Sequence, residues 1–382
     1  MPRVCLLLIA FSLLPNLAAL AEQTSSSPVE IAYAVEFAWE HGSAHGATLL
    51  HTFNIDLDTG EATEQGGTTL LPQDPEIVPS PDGHFLYVIG LNQAYMRQYI
   101  WVYPTDSQGV PGPPIQKLDV ADILQFEIDP TGTLAYVLQW STNTTIRVYH
   151  IDPTTGLLST TSQVVADLGE GPCGSSGFPQ LLGFDSSGSQ LYDSWVCSGW
   201  DDGSAYYYSY EADKRTGTLG AYKLIFTWGS SDGGPYQYVS ITDQALIDLL
   251  VTGGEWNTVF VFTPLGGKRP VIACSARMLF ACGKATNSYA DPMGEYLFLQ
   301  VGADFDIARI DLQEGRITDT GSAIPAAALT FSPDRRVIYA QSSRRTSSPV
   351  NSIYLFDPDT AELKQGGAIG LPASYLIPAV RR

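Results

Sequence analysis

A chain reversal built from the same few residue types recurs along this sequence at intervals near 50 residues, and no other feature narrows the possible folds so far. Six copies align: Ser80-Pro-Asp-Gly83, Asp129-Pro-Thr-Gly132, Asp185-Ser-Ser-Gly188, Thr242-Asp-Gln-Ala245, Asp291-Pro-Met-Gly294 and Ser332-Pro-Asp-Arg335. Their second residues lie 49, 56, 57, 49 and 41 apart. In the fullest copies proline presets φ, glycine takes a conformation disfavoured by a Cβ, and the leading Asp or Ser bonds back onto the turn backbone.

Each reversal is followed by an apolar strand, at 85–89, 134–138, 190–195, 246–251, 296–301 and 337–340. A second strand with alternating pattern comes next, at 99–103, 146–151, 206–210, 258–262, 305–310 and 353–356. Each unit is thus an antiparallel meander that buries its faces only against its neighbours, which predicts a β-propeller. The start of the chain adds one more strand pair, 31–37 and 49–55, with no reversal before it. Its missing innermost strand is expected from the tail, 375–380. The expectation is therefore a seven-bladed, all-β propeller of four-stranded antiparallel blades, closed by pairing of the N- and C-terminal strands, with no free sheet edge at the join.

The segments Ser80-Pro-Asp-Gly-His-Phe-Leu-Tyr-Val88, Asp129-Pro-Thr-Gly-Thr-Leu-Ala-Tyr-Val137 and Val148-Tyr-His-Ile-Asp-Pro-Thr-Thr-Gly156 resemble the tyrosine-valine (YVTN) repeats of the seven-bladed lactonase-like propellers. That family includes phosphogluconolactonases and fungal muconate-lactonizing enzymes. The resemblance covers nearly the whole chain after its first residues and implies a lactone or related ester as substrate. It rests on turn and strand residues, which specify architecture and not chemistry, so it brings no catalytic residue with it.

Residues 1–21 have a basic start at Arg3, an apolar run and a small-residue end at Ala19-Leu-Ala21, the layout of a cleaved secretory signal. Residues 22–382 then form one propeller domain, secreted or periplasmic, monomeric and without a membrane span. Loss of Arg3 leaves 19 basic against 40 acidic side chains, a net −21, which opposes nucleic acid and anionic lipid as partners. The suitable partners are a small neutral or cationic ligand, a sugar or lactone, or another protein. Export also makes Cys173, Cys197, Cys274 and Cys282 disulfide formers, with Cys173–Cys197 and Cys274–Cys282 the nearest-neighbour pairings.

Loops between second and third strands share one face with the blade-to-blade connections. Trp39, Trp140, Trp200, Trp228 and Trp256 fall on or beside that face, with Asp201 and Glu255. Indole faces stack on sugar rings while carboxylates bond their hydroxyls, so these residues are the candidate ligand contacts. His41 and His45 are weak candidates for a general base, and Arg344 and Arg345 for holding a lactone carboxylate or an oxyanion. No cofactor is expected. Asp201-Asp202 and Asp56-Leu57-Asp58 offer oxygen ligands to calcium but lack the spacing of a dedicated loop.

Overall fold

The computed structural model describes residues 29–38, 47–92, 97–140, 143–169, 171–172, 177–197, 203–230, 236–242, 246–251, 258–262, 272–275, 282, 284–332, 335–342, 351–371 and 374–381 of the 382-residue chain. These residues form a β-propeller of seven four-stranded sheets. Six sheets are meanders of consecutive strands. In chain order they contain β4 (Gln73–Pro79), β5 (Phe85–Asn92), β6 (Arg97–Pro104) and β7 (Gln116–Asp119), then β8 (Ile123–Ile128), β9 (Leu134–Trp140), β10 (Thr144–His150) and β11 (Gln163–Gly169). The next two contain β12 (Gly177–Phe184), β13 (Gln190–Cys197), β14 (Gly203–Glu211) and β15 (Lys223–Ser230), then β16 (Tyr236–Ile241), β17 (Leu246–Val251), β18 (Thr258–Phe262) and β19 (Ile272–Ser275). The last two contain β20 (Ser288–Ala290), β21 (Tyr296–Val301), β22 (Asp304–Asp311) and β23 (Arg316–Pro325), then β24 (Ala328–Phe331), β25 (Val337–Gln341), β26 (Asn351–Asp357) and β27 (Glu362–Ile369).

The remaining sheet joins the two ends of the chain. β1 (Val29–Ala38), β2 (Ala47–Asp56) and β3 (Ala62–Leu71) are completed by β28 (Ser374–Arg381), in the order β28-β1-β2-β3. The β1–β28 register runs antiparallel from Glu30 opposite Arg381 to Glu36 opposite Ser374, with one irregularity between Glu30 and Ala32.

Burial explains why the second strand of each sheet reads as an unbroken apolar run, because it is covered on both faces. Along β1, Ile31, Tyr33 and Val35 pack with Ile77, Leu86 and Val88 of the following sheet. The alternate residues Ala32 and Ala34 pack with Val337, Tyr339 and Ile353 of the preceding one. Similar clusters tie the second sheet to the third, the third to the fourth, the fifth to the sixth and the sixth to the seventh. Outer strands such as β3 and β11 are mostly exposed or half-buried and keep the polar alternation.

In four of the sheets a tyrosine of the second strand fastens the sheet to the next. Tyr33 donates its hydroxyl to the Gly109 carbonyl at 2.8 Å, Tyr87 to Gly156 at 2.9 Å, and Tyr296 to Pro358 at 2.8 Å. Every acceptor lies in the outer-hairpin turn of the following sheet. Tyr339 of the last sheet donates instead to Glu30 of the sheet that joins the termini, at 2.7 Å.

The turns use aspartate as expected. Asp129 takes the N–H groups of Thr131, Thr133 and Leu134, and Asp291 those of Met293, Glu295 and Tyr296. Asp82 and Asp185 serve the equivalent turns, while Asp56, Asp106, Asp152, Asp213, Asp311 and Asp357 close the outer hairpins in the same way. Among the described residues, ten aspartates are therefore turn formers, against 40 acidic side chains in the whole chain. A good part of the acidity belongs to chain reversal and not to a ligand site.

The Cys274–Cys282 bridge is present, with the Cα atoms 5.9 Å apart. Cys197 is also disulfide-bonded; its expected partner Cys173 lies outside the described residues. Among the described residues, no helix is long and apolar enough to cross a membrane.

Candidate functional site

The innermost strand of each sheet exposes one backbone edge toward the propeller axis, and its unpaired N–H and C=O groups need partners. Side chains from neighbouring sheets supply several. The Gln98 amide bonds both the N–H and the carbonyl of Ile123, and the Gln125 amide does the same for Leu181. Where β4 faces β8 a carboxylate takes this place, as Glu76 accepts the N–H of Phe126.

Glu127 follows Phe126 on β8, so two carboxyl groups occupy adjacent innermost strands. Both are half-buried: water reaches them, but protein surrounds them. Burial pushes Glu76 up to about 7, against the one opposing effect of the Phe126 N–H. Burial also pushes Glu127 up to about 7, and the negative charge of Glu76 adds to it. The negative charge of Glu76 thus favours retention of the proton on Glu127. Near neutral pH one member can hold a proton while the other is ionised, the condition for one group to accept a proton as its neighbour donates one.

Neither glutamate is among the residues that the sequence singles out, although each carries a signal. Pro75-Glu76-Ile77 and Phe126-Glu127-Ile128 each place a charge between apolar neighbours in a strand just ahead of a turn. A charge there is costly unless something uses it.

The residues the sequence does single out are spread differently. Trp140 ends β9 on the expected face and is 40% exposed. Trp228 lies within β15, opposite Ala205. Trp39, Trp200, Asp201, Glu255, Trp256, His41, His45, Arg344 and Arg345 lie outside the described residues. Of the acidic clusters weighed for calcium, Asp56 is occupied as an acceptor for the Asp58 and Thr59 N–H groups. Among the described residues there is no grouping of three or more His, Cys, Asp or Glu side chains suited to a metal ion.

His51 lies in a strand and not in a loop. It is buried on β2 with Nε2 2.9 Å from Glu36 and Nδ1 2.8 Å from Glu64. This cross-strand bridge ties the first three strands of the chain together.

No family model matches the sequence, and no curated protein matches it significantly. Solved structures share the fold. A putative 6-phosphogluconolactonase from Bacteroides fragilis is 17% identical with a TM-score of 0.60, over 93% of this chain and 99% of its own. The periplasmic gluconolactonase of Pseudomonas aeruginosa is 13% identical with a TM-score of 0.58, over 92% and 99%. A protein from Lactobacillus plantarum is 12% identical with a TM-score of 0.58, over 91% and 99%.

Proposed function

We propose that this protein opens a neutral sugar lactone or a related cyclic ester within its axial channel, with Glu76 and Glu127 as the proton-handling pair. The seven sheets would close into one ring of seven blades around that site. The observation that carries the reading is the placement of two carboxyl groups, each pushed to about 7, on adjacent innermost strands.

Lactone opening needs a base to take a proton from water as its oxygen bonds to the carbonyl carbon. It then needs a donor for the ring oxygen as the C–O bond breaks. The ionised member of the pair supplies the first and the protonated member the second; one turnover leaves the pair's single proton on the opposite carboxyl, and its return to the other resets the site. Arg344 and Arg345, which fall between β25 and β26 in the sequence, are the proposed cations for the developing oxyanion.

The choice of a lactone among esters rests on the shared fold with gluconolactonases. The expected export signal and the Cys274–Cys282 bridge support a secreted or periplasmic setting. A second reading, a binding scaffold on the tryptophan-bearing face, is favoured by the exposure of Trp140; it predicts ligand binding without turnover.

The test is proton release from δ-gluconolactone and other neutral lactones, corrected for spontaneous hydrolysis. Catalysis should peak near pH 7 and decline on either side of it, and should fall by on the order of 100-fold or more in Glu76→Gln. No rate above the spontaneous one across such a panel would remove the enzymatic reading and leave the scaffold.

A further inference from the structure

We propose that the cleft between the third and fourth sheets is a second ligand site, built to hold a neutral polyhydroxylated ring such as a hexopyranoside. It lies away from the axis, toward the outer strands β11 and β15. Its volume is about 620 Å³, within the roughly 300–1,000 Å³ of small-molecule sites.

The lining follows from strand register. On β13 and β14, Asp193 lies opposite Tyr208, Leu191 opposite Tyr210 and Trp195 opposite Tyr206. Side chains two apart on a strand share a face, so Asp193, Trp195, Tyr208 and Tyr210 all turn toward the third sheet. Tyr222, just before β15, completes the wall. Its ring is 5.2 Å from that of Tyr208 at 79° and 6.5 Å from that of Tyr210 at 63°. Asn143 and Asp167 line the opposite side. Tyr222 is 64% exposed, far more than packing alone requires of an aromatic side chain.

Asp193 lies behind this lining and acts on the cleft through Tyr210. It is 1% exposed, and among the described residues no cation pairs with it and its Oδ1 has no hydrogen-bond partner. Its Oδ2 accepts the Tyr210 hydroxyl at 3.2 Å. Having given its proton inward, the Tyr210 oxygen can offer the cleft only lone pairs, so it favours a ligand that donates a hydroxyl hydrogen. Asp167 is a further acceptor and the Asn143 amide both donates and accepts. Stacked C–H faces against tyrosine, with hydroxyl hydrogens directed to Tyr210 and Asp167, describe a sugar. An anion meets Asp167 and a protein of net charge −20. A fully apolar molecule leaves the polar groups unpaired.

Cellobiose, maltose and lactose are the neutral probes for calorimetric titration, with gluconate and tetramethylammonium as charged controls. At least one disaccharide should bind saturably, and neither control should. Tyr222→Ala should weaken binding about fivefold with an unchanged melting temperature, since one aromatic contact of this kind is worth about 1 kcal/mol. The channel variant Glu76→Gln should bind the same disaccharide with the same Kd, so that a failure of lactone opening and a failure of this site are read separately. The proposal is overturned if none of the three sugars binds, if tetramethylammonium or gluconate binds in their place, or if affinity is indifferent to Tyr222→Ala.

Discussion

Glu76, Glu127 and Asp193 each carry a carboxyl group whose burial lifts its titration to about 7. In the unfolded chain these groups lose their protons near 4.5 for Glu and 3.8 for Asp. The folded state therefore binds more protons than the unfolded state between those limits, and the stability this confers at acid pH is lost as pH rises through about 7. The turn aspartates have the opposite sign. Backbone N–H groups hold Asp56, Asp152, Asp213 and Asp357 below the ordinary carboxylate range, so their contribution is lost in acid. The melting temperature should peak at about pH 4–5 and decline toward neutrality, and Glu127→Gln should flatten that decline and stabilise the protein at pH 8 by on the order of 1–3 kcal/mol. Thermal scans at constant ionic strength check this; a melting temperature that climbs steadily from pH 5 to about 8 would contradict the assignment. These carboxyls escape a reading that looks for chemistry in loops, because Glu76 and Glu127 sit in strands too short for their pattern to declare an axis-lining position. Tyr87 stands out in the sequence as a strand aromatic, but the Gly156 carbonyl it reaches is 69 residues away and no local pattern encodes that pairing. Tyr87→Phe should cost about 1–2 kcal/mol, measured by denaturant unfolding, with the fold retained.

At the level of strands and turns, the most legible parts are those that solve a local problem. The Asp-Pro-Thr-Gly reversals and the doubly covered second strands follow directly from residue type. The innermost strands do not: β20, Ser288–Ala290, is three residues long and exists because β21 offers it a ladder. Outer-hairpin turns also carry a constraint that only the assembled sheets reveal. Gly156 has φ +69°, and a Cβ there would come within 2.3 Å of the Phe85 ring in the preceding sheet. Gly156→Ala combines a left-handed backbone penalty with overpacking and should destabilise by roughly 2–5 kcal/mol, against about 1 for a typical substitution. The Cys274–Cys282 bridge was predictable from proximity alone. It closes a short loop beside β19, and on the chain-entropy model removing it should cost about 2.5 kcal/mol, to be measured by melting the Cys274→Ser/Cys282→Ser protein.

Across the whole molecule, the sheet shared by the two ends has a job no other sheet has. Its innermost strand, β28, arrives last, and β1 has no other partner on that side. Truncation before Ser374 should leave β1 an open edge and abolish the cooperative melt, with aggregation visible by size-exclusion chromatography. The repeat period made this join foreseeable, since six reversals and an extra strand pair left one strand unassigned. The period could not locate the Asp193 cleft, because that depends on which faces of two different sheets meet.

The hydroxyls of Tyr33, Tyr87 and Tyr296 all reach forward to the succeeding unit, and Tyr339 carries the same sense across to Glu30, so at these four junctions the fastening points the same way. Glu30 and Arg381 stand opposite each other in the ladder, so a splice of a few residues would join tail to head. A circularly permuted gene opened at the exposed Lys214–Arg215 bond of the Asp213 hairpin should therefore yield the same native protein. Where translation begins is, for this architecture, an accident of its history.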